Sequence, residues 1–180
     1  MRREELAAAE GRTIPDVIGP GLRVLFCGIN PGLWSAAVGQ HFAHPSNRFW
    51  KALHQAGFTD RLLAPAEQGE LSGARVGITN LVNRATRTAK ELSAGELRSG
   101  ASALEDKVRR YQPRIVAVVG LQAYRAGFGR RRAVIGSQCE SLAGIPLWVV
   151  ANPSGAQAHY QLPALVEAFA ELRRATWDRS

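Results

Sequence analysis

Three short segments concentrate the residues most able to act on a bound molecule, and all three are built on amides. They are Gly28-Ile29-Asn30-Pro31-Gly32, Val82-Asn83-Arg84-Ala85-Thr86 and Asn152-Pro153-Ser154-Gly155. No Asp or Glu occurs in 29–50, 79–90 or 152–160. A site made from these stretches has no carboxylate to hold magnesium, which argues against metal-dependent phosphoryl transfer. The sequence also contains no GxxxxGK[ST] phosphate loop and no GxSxG nucleophile elbow. An uncharged, amide-rich site suits a reaction whose leaving group departs as a stabilised anion. There the protein supplies hydrogen bonds and positions a water. Taken singly, Asn-Pro-Gly and Asn-Pro-Ser-Gly are also ordinary turn chemistry. Turn chemistry does not account for the stretch from Gly32 to Asn47, which reads as a long irregular loop carrying Trp34, His41, Phe42 and His44. Such loops in small domains are usually functional.

The elements that would position these segments are strands. Residues 22–28, 75–82, 114–120 and 145–151 read as four strands, the third almost continuously apolar, as in a strand covered on both faces. Each amide-rich segment follows one of them. Helical patterns lie between: 47–55, stopping at Gly57; a long helix opened by the capping-box spacing Ser93-Ala94-Gly95-Glu96 and ending before Pro113; and a last helix with Leu162, Leu165, Val166, Phe169 and Leu172 on one stripe. Strands alternating with helices predict a single α/β domain over 1–180. Its centre is a four-stranded parallel sheet with helices on both faces, and 1–20 form an N-terminal extension or helix. The three segments then meet at the carboxyl ends of the strands, where open α/β sheets bind ligands.

Composition bounds the partners. The 180 residues carry 23 Lys+Arg against 15 Asp+Glu, a net charge of +8, which favours polyanions as well as solubility. The excess is nearly all arginine, since the only lysines are Lys51, Lys90 and Lys107. Cys27 and Cys139 have neither CxxC spacing nor a His/Cys cluster, so no metal site and no disulfide framework is expected. No apolar stretch is long enough to span a membrane and Met1–Glu5 lacks the apolar run of a secretory signal, so a cytoplasmic, nucleoid-associated protein is expected.

In combination and in order, Gly-Ile-Asn-Pro-Gly-Leu (28–33), Phe-Ala-His-Pro-Ser-Asn-Arg-Phe-Trp (42–50), Gly-Ile-Thr-Asn-Leu-Val-Asn-Arg-Ala-Thr (77–86) and Asn-Pro-Ser-Gly (152–155) resemble the mismatch-specific uracil-DNA glycosylase and thymine-DNA glycosylase family, its bacterial branch most closely. The similarity spans about residues 22 to 175. The resemblance implies hydrolysis of the N-glycosidic bond of uracil, or a related damaged pyrimidine, mispaired with guanine in double-stranded DNA. It implies base flipping, no cofactor, and action as a monomer without an obligate protein partner.

By the same resemblance Asn30 is the catalytic asparagine that aims a water, and Asn83 stands where relatives carry an acid before the matching arginine. Gly28, Ile29, Pro31, Gly32, Ser35 and Phe42 form the base pocket, with Phe42 stacking on the flipped base or packing in the core, and His44 orienting the loop or touching phosphate. Asn152, Pro153, Ser154, Gly155, Ala156, Gln157 and His159 form the segment that enters the DNA stack. Relatives place a leucine after the glycine and an arginine two positions on. This chain has Ala156 and Ala158, leaving Gln157, His159 or Tyr160 to act as wedge. Two other readings stay open: a catalytically silent mismatch-binding protein, and a small-molecule α/β enzyme using the same strand edge.

Overall fold

Five-residue runs of apolar and β-branched residues make the centre of the molecule. In the computed structural model, which describes residues 1–155 and 161–177, Val24–Gly28 (β1), Val76–Asn80 (β2) and Ile115–Val119 (β3) are buried at every position. Gly136–Leu142 (β4) and Ile145–Val150 (β5) complete a five-stranded sheet of order β2-β1-β3-β5-β4. β1, β2, β3 and β5 are parallel, as the sequence predicts. The expectation of four strands is corrected by β4, which runs antiparallel to β5 at the sheet edge. Its residues alternate half-buried and exposed and are mostly polar, so it carries no apolar signal. Ala143 and Gly144 join it to β5 with φ of 50° and 81°, the two left-handed positions of a tight hairpin turn.

Both faces of the sheet are covered. Val24, Phe26, Ile78, Ile115 and Val150 pack against Phe49–Gln55 (α3) and Leu162–Trp177 (α6), where Phe26 lies within 5.3–5.6 Å of the Phe49, Phe58 and Phe169 rings. Leu25, Cys27, Val116, Val118 and Val149 pack against Ala94–Tyr111 (α4) and Leu121–Phe128 (α5). The predicted stripe of α6 buries Leu165, Phe169 and Leu172, with Leu162 and Val166 partly covered. α4 starts at the predicted cap: Ser93 Oγ accepts from Glu96 N at 3.1 Å and Glu96 Oε2 accepts from Ser93 N at 2.8 Å.

Two further features bear on the site. The stretch after β1 is not irregular throughout, because Leu33–Val38 forms a helix (α2) ended by Gly39 at φ 69°. It is too short to show a helical period in sequence. The N-terminal 20 residues are built into the fold. After a short helix at Arg3–Ala7 (α1), Val17 and Ile78 exchange backbone hydrogen bonds of 2.8 and 2.9 Å, so the chain covers the β2 edge.

Candidate active site

Gly28 and Asn80 end β1 and β2 in register, and beyond them the two chains stay zipped together. Leu81 N donates to Gly28 O at 2.9 Å, Val82 N to Ile29 O at 3.0 Å and Thr86 N to Pro31 O at 3.2 Å. This pairing carries Asn30 to Arg84 and Thr86. Asn30 Nδ2 donates to Arg84 O at 3.0 Å and to Thr86 Oγ1 at 2.7 Å. A carbonyl can only accept, and the Thr86 hydroxyl spends its own proton on Thr88 O at 2.9 Å. Both contacts therefore require the amide nitrogen. Asn30 Oδ1 is left as an acceptor that makes no hydrogen bond among the described residues.

A second amide, which the sequence reading passed over, lies beside it. Asn80 is 7% exposed, and its Oδ1 sits 2.5 Å from where a Cβ on Gly28 would stand. Any side chain at 28 would displace this amide, which is why glycine is needed there. Its orientation follows from a relay. His41, 2% exposed, donates from Nε2 to Pro15 O at 3.0 Å, so in its neutral form Nδ1 is the acceptor. Asn80 Nδ2 faces that Nδ1 at 3.5 Å, a long contact that still favours the nitrogen on this side. Burial above all lowers the pKa of His41 and keeps the ring neutral.

Phe42 adjoins both. Its ring stacks on Phe49 with centroids 4.1 Å apart and planes at 18°, and its Cζ lies 3.3 Å from the same Gly28 Cβ position. One face is thus taken by the core, and the residue remains half-buried. Its φ of 52° is unusual for a bulky residue and is sustained by its neighbours. Ser35, buried in α2, accepts from Ala43 N at 3.0 Å and so pins the chain just after the ring. Ile29 reaches the carboxyl end of β3, where its side chain lies 3.0 Å from a Cβ position on Gly120. Pro31 is buried, and exposed Gly32 caps α2.

The loop after β5 joins through Arg48. Arg48 N donates to Pro153 O at 3.0 Å, its Nε to the same oxygen at 3.3 Å and its Nη2 to Ser154 O at 2.8 Å. Asn152 Oδ1 accepts from Ser154 N at 2.9 Å, shaping the turn. Gly155 approaches Ser46 so closely that a Cβ would meet its Oγ at 2.6 Å. His44 turns inward on its own loop, with Nδ1 2.8 Å from Ser46 Oγ and its ring edge-on to Trp34. Ala156, Gln157, Ala158, His159 and Tyr160 lie outside the described residues.

Asn83 is the outlier: exposed, and without a hydrogen bond among the described residues. Two carboxylates come near the cluster, and both are engaged. Asp16 pairs with Lys107 at 2.6 Å and accepts from Thr79 Oγ1 at 2.8 Å. Glu96 pairs with Arg84 at 2.6 Å, and the Arg84 and Ser93 hydrogen bonds bring its pKa down to about 2. Surface cavities of about 510 and 530 Å³ lie elsewhere and are lined by none of Asn30, Asn80 and Phe42. Asn80, His41 and Arg48 carry much of the geometry; the signal for Asn80 was its place at the end of a strand beside Gly28.

The family model of the uracil DNA glycosylase superfamily matches residues 15–176. Among solved structures, the chain is similar to the solution NMR structure of a protein from Methanosarcina acetivorans described as a candidate uracil DNA glycosylase. The identity is 19%, with 91% of this chain and 98% of that chain covered at a TM-score of 0.58, a likeness of fold.

Proposed function

Since this chain belongs to the uracil DNA glycosylase superfamily, we propose that it hydrolyses the N-glycosidic bond of uracil mispaired with guanine in double-stranded DNA. The supporting observation is the fixed amide of Asn30, whose donors are both occupied and whose Oδ1 is open. An amide oxygen has no basicity at neutral pH, but it accepts a hydrogen bond from water and can aim that water at C1′. Aiming suffices when the bond breaks before the water adds. The C1′–N1 electron pair leaves with uracil and the sugar becomes cationic; the water oxygen then bonds to C1′, and its proton passes, directly or through solvent water, to the departed uracil anion.

Backbone N–H groups of the 29–32 turn stabilise the charge on the departing uracil oxygens. Asn80 adds an amide at the pocket floor, and Phe42 offers its free face for stacking, worth about 1–3 kcal/mol per base where such stacking has been probed. Mispairing supplies the first selectivity, because a flipped base costs less when it leaves a poor pair. The 152–155 turn, fastened by Arg48, carries the segment that fills the vacated space.

Single-turnover base release from a G·U duplex, read by alkali cleavage at abasic sites, tests this. Asn30→Ala is expected to lower the rate about 10²–10³-fold, as loss of a transition-state hydrogen bond does. Mismatch binding without release by the wild-type chain would instead establish a silent mismatch binder.

A further inference from the structure

Arg23, Arg75 and Arg114 each stand one residue ahead of a strand: β1, β2 and β3 respectively. These three strands are neighbours in the order β2-β1-β3, and the register sets Val24 beside both Val76 and Ile115. The arginines are therefore level. Arg23 N donates to Arg75 O at 2.7 Å, and Ile115 N to Arg23 O at 3.1 Å. Neighbouring strands lie about 4.8 Å apart, so three guanidinium-bearing residues form a row along the amino edge of the sheet. A fourth comes from α6: the Trp177 ring is flanked by the Arg23 Cζ at 4.5 Å and the Arg173 Cζ at 5.0 Å.

Among the described residues this charge is uncompensated. None of the four pairs with a carboxylate among the described residues, and their guanidinium groups make one hydrogen bond there, from Arg75 Nε to Gly21 O at 2.8 Å. Arg23 feels the others: after burial, the charges of Arg75, Arg114 and Arg173 make it harder to protonate than an ordinary arginine. Asp60 and Glu70 line the cavity that Arg173 and Trp177 enter, but Glu70 is held by Arg61 at 2.8 Å. Like charges fixed in a row by backbone register are a standing cost that a polyanion would relieve.

We propose that this arginine row is a second nucleic-acid contact, taking the phosphate backbone of a DNA segment other than the one whose base is processed. It goes beyond the glycosylase reading and rests on it only in taking DNA as the polyanion. β1 separates the row from the Asn30 site by five residues at about 3.3 Å each, so the two lie on opposite edges of the sheet. One molecule could then hold a segment at the site while touching another behind it. Guanidinium groups suit phosphate oxygens, which they grip bidentately.

The test loads the full chain onto a tethered G·U duplex and measures capture of a labelled mismatch-free duplex from solution. Arg75 and Arg114 are exposed and away from the Trp177 stack, so Arg75→Gln/Arg114→Gln is expected to keep the fold, losing the Arg75 Nε–Gly21 O hydrogen bond. The wild type is expected to capture the second duplex and this variant to lose most of that capture, while Arg75→Lys/Arg114→Lys, which keeps the charge without the bidentate fork, retains part of it. The log–log salt slope of capture should shrink by about 0.9 for each phosphate contact removed. Base release from the tethered G·U duplex, read in the same samples, should stay at the wild-type rate, so loss of capture with release intact strikes the row alone. No capture by the wild type, or equal capture by the glutamine variant, overturns the proposal. Binding of polyglutamate at the row without DNA capture overturns it too, in favour of an acidic protein partner.

Discussion

With both Asn30 amide hydrogens committed to Arg84 O and Thr86 Oγ1, a single atom, Oδ1, is left to do chemistry. Asn30 was legible in sequence because Asn-Pro-Gly after an apolar strand is conspicuous. Asn80 was not, and His41 showed only as one residue of the loop after β1, because their contact joins positions 39 apart in the chain and depends on the tautomer that Pro15 O sets. That relay makes a prediction. The folded pKa of His41 lies below 6.5 because burial disfavours the imidazolium, so its contribution to stability is present above pH 6.5 and is lost as pH falls through the folded value. Tm should therefore drop on the acid side of 6.5 in the wild type, and His41→Leu should lack that slope; an unchanged slope in the variant would remove His41 from the account. Asn83 is exposed and unbonded among the described residues. Asn83→Asp is expected to change the base-release rate without abolishing mismatch binding, and identical kinetics would exclude a role for this position.

At the scale of elements, the N-terminus of α4 supports the loop that holds Asn30. Ser93 and Glu96 cap the helix, Glu96 grips Arg84, and the Arg84 carbonyl accepts from Asn30. Glu96→Gln should therefore slow base release, by less than Asn30→Ala does, with duplex affinity unchanged. A rate equal to wild type would show that the loop holds itself. The sign of its pH effect follows from the depressed pKa of about 2: the stabilising pair is present above the ordinary value of 4.5 and is lost as pH falls toward 2. The four parallel strands were legible because burial on both faces demands unbroken apolar runs. β4 was not, because an edge strand with one wet face can be written Gly-Ser-Gln-Cys-Glu-Ser. The Ala143-Gly144 turn was its one available sign. α2 escaped because six residues with alanines at its centre show no period.

For the whole molecule, a parallel sheet sorts chemistry by edge. The carboxyl edge gathers Asn30, Asn80, Phe42 and the 152–155 turn from three strands, and the amino edge aligns three arginines by register. Both arrangements come from strand order, which no local motif displays. The net charge of +8 takes on meaning only once the fold shows where its arginines gather. Release of mispaired uracil is expected to depend on Asn30 above all other residues. Single-turnover release from G·U, A·U and single-stranded uracil substrates in one buffer, for the wild type and Asn30→Ala, tests it most directly. The wild type should release uracil fastest from G·U, and Asn30→Ala should fall about 10²–10³-fold while still binding the G·U duplex. Wild-type release by Asn30→Ala, or no preference for G·U over A·U, would contradict it.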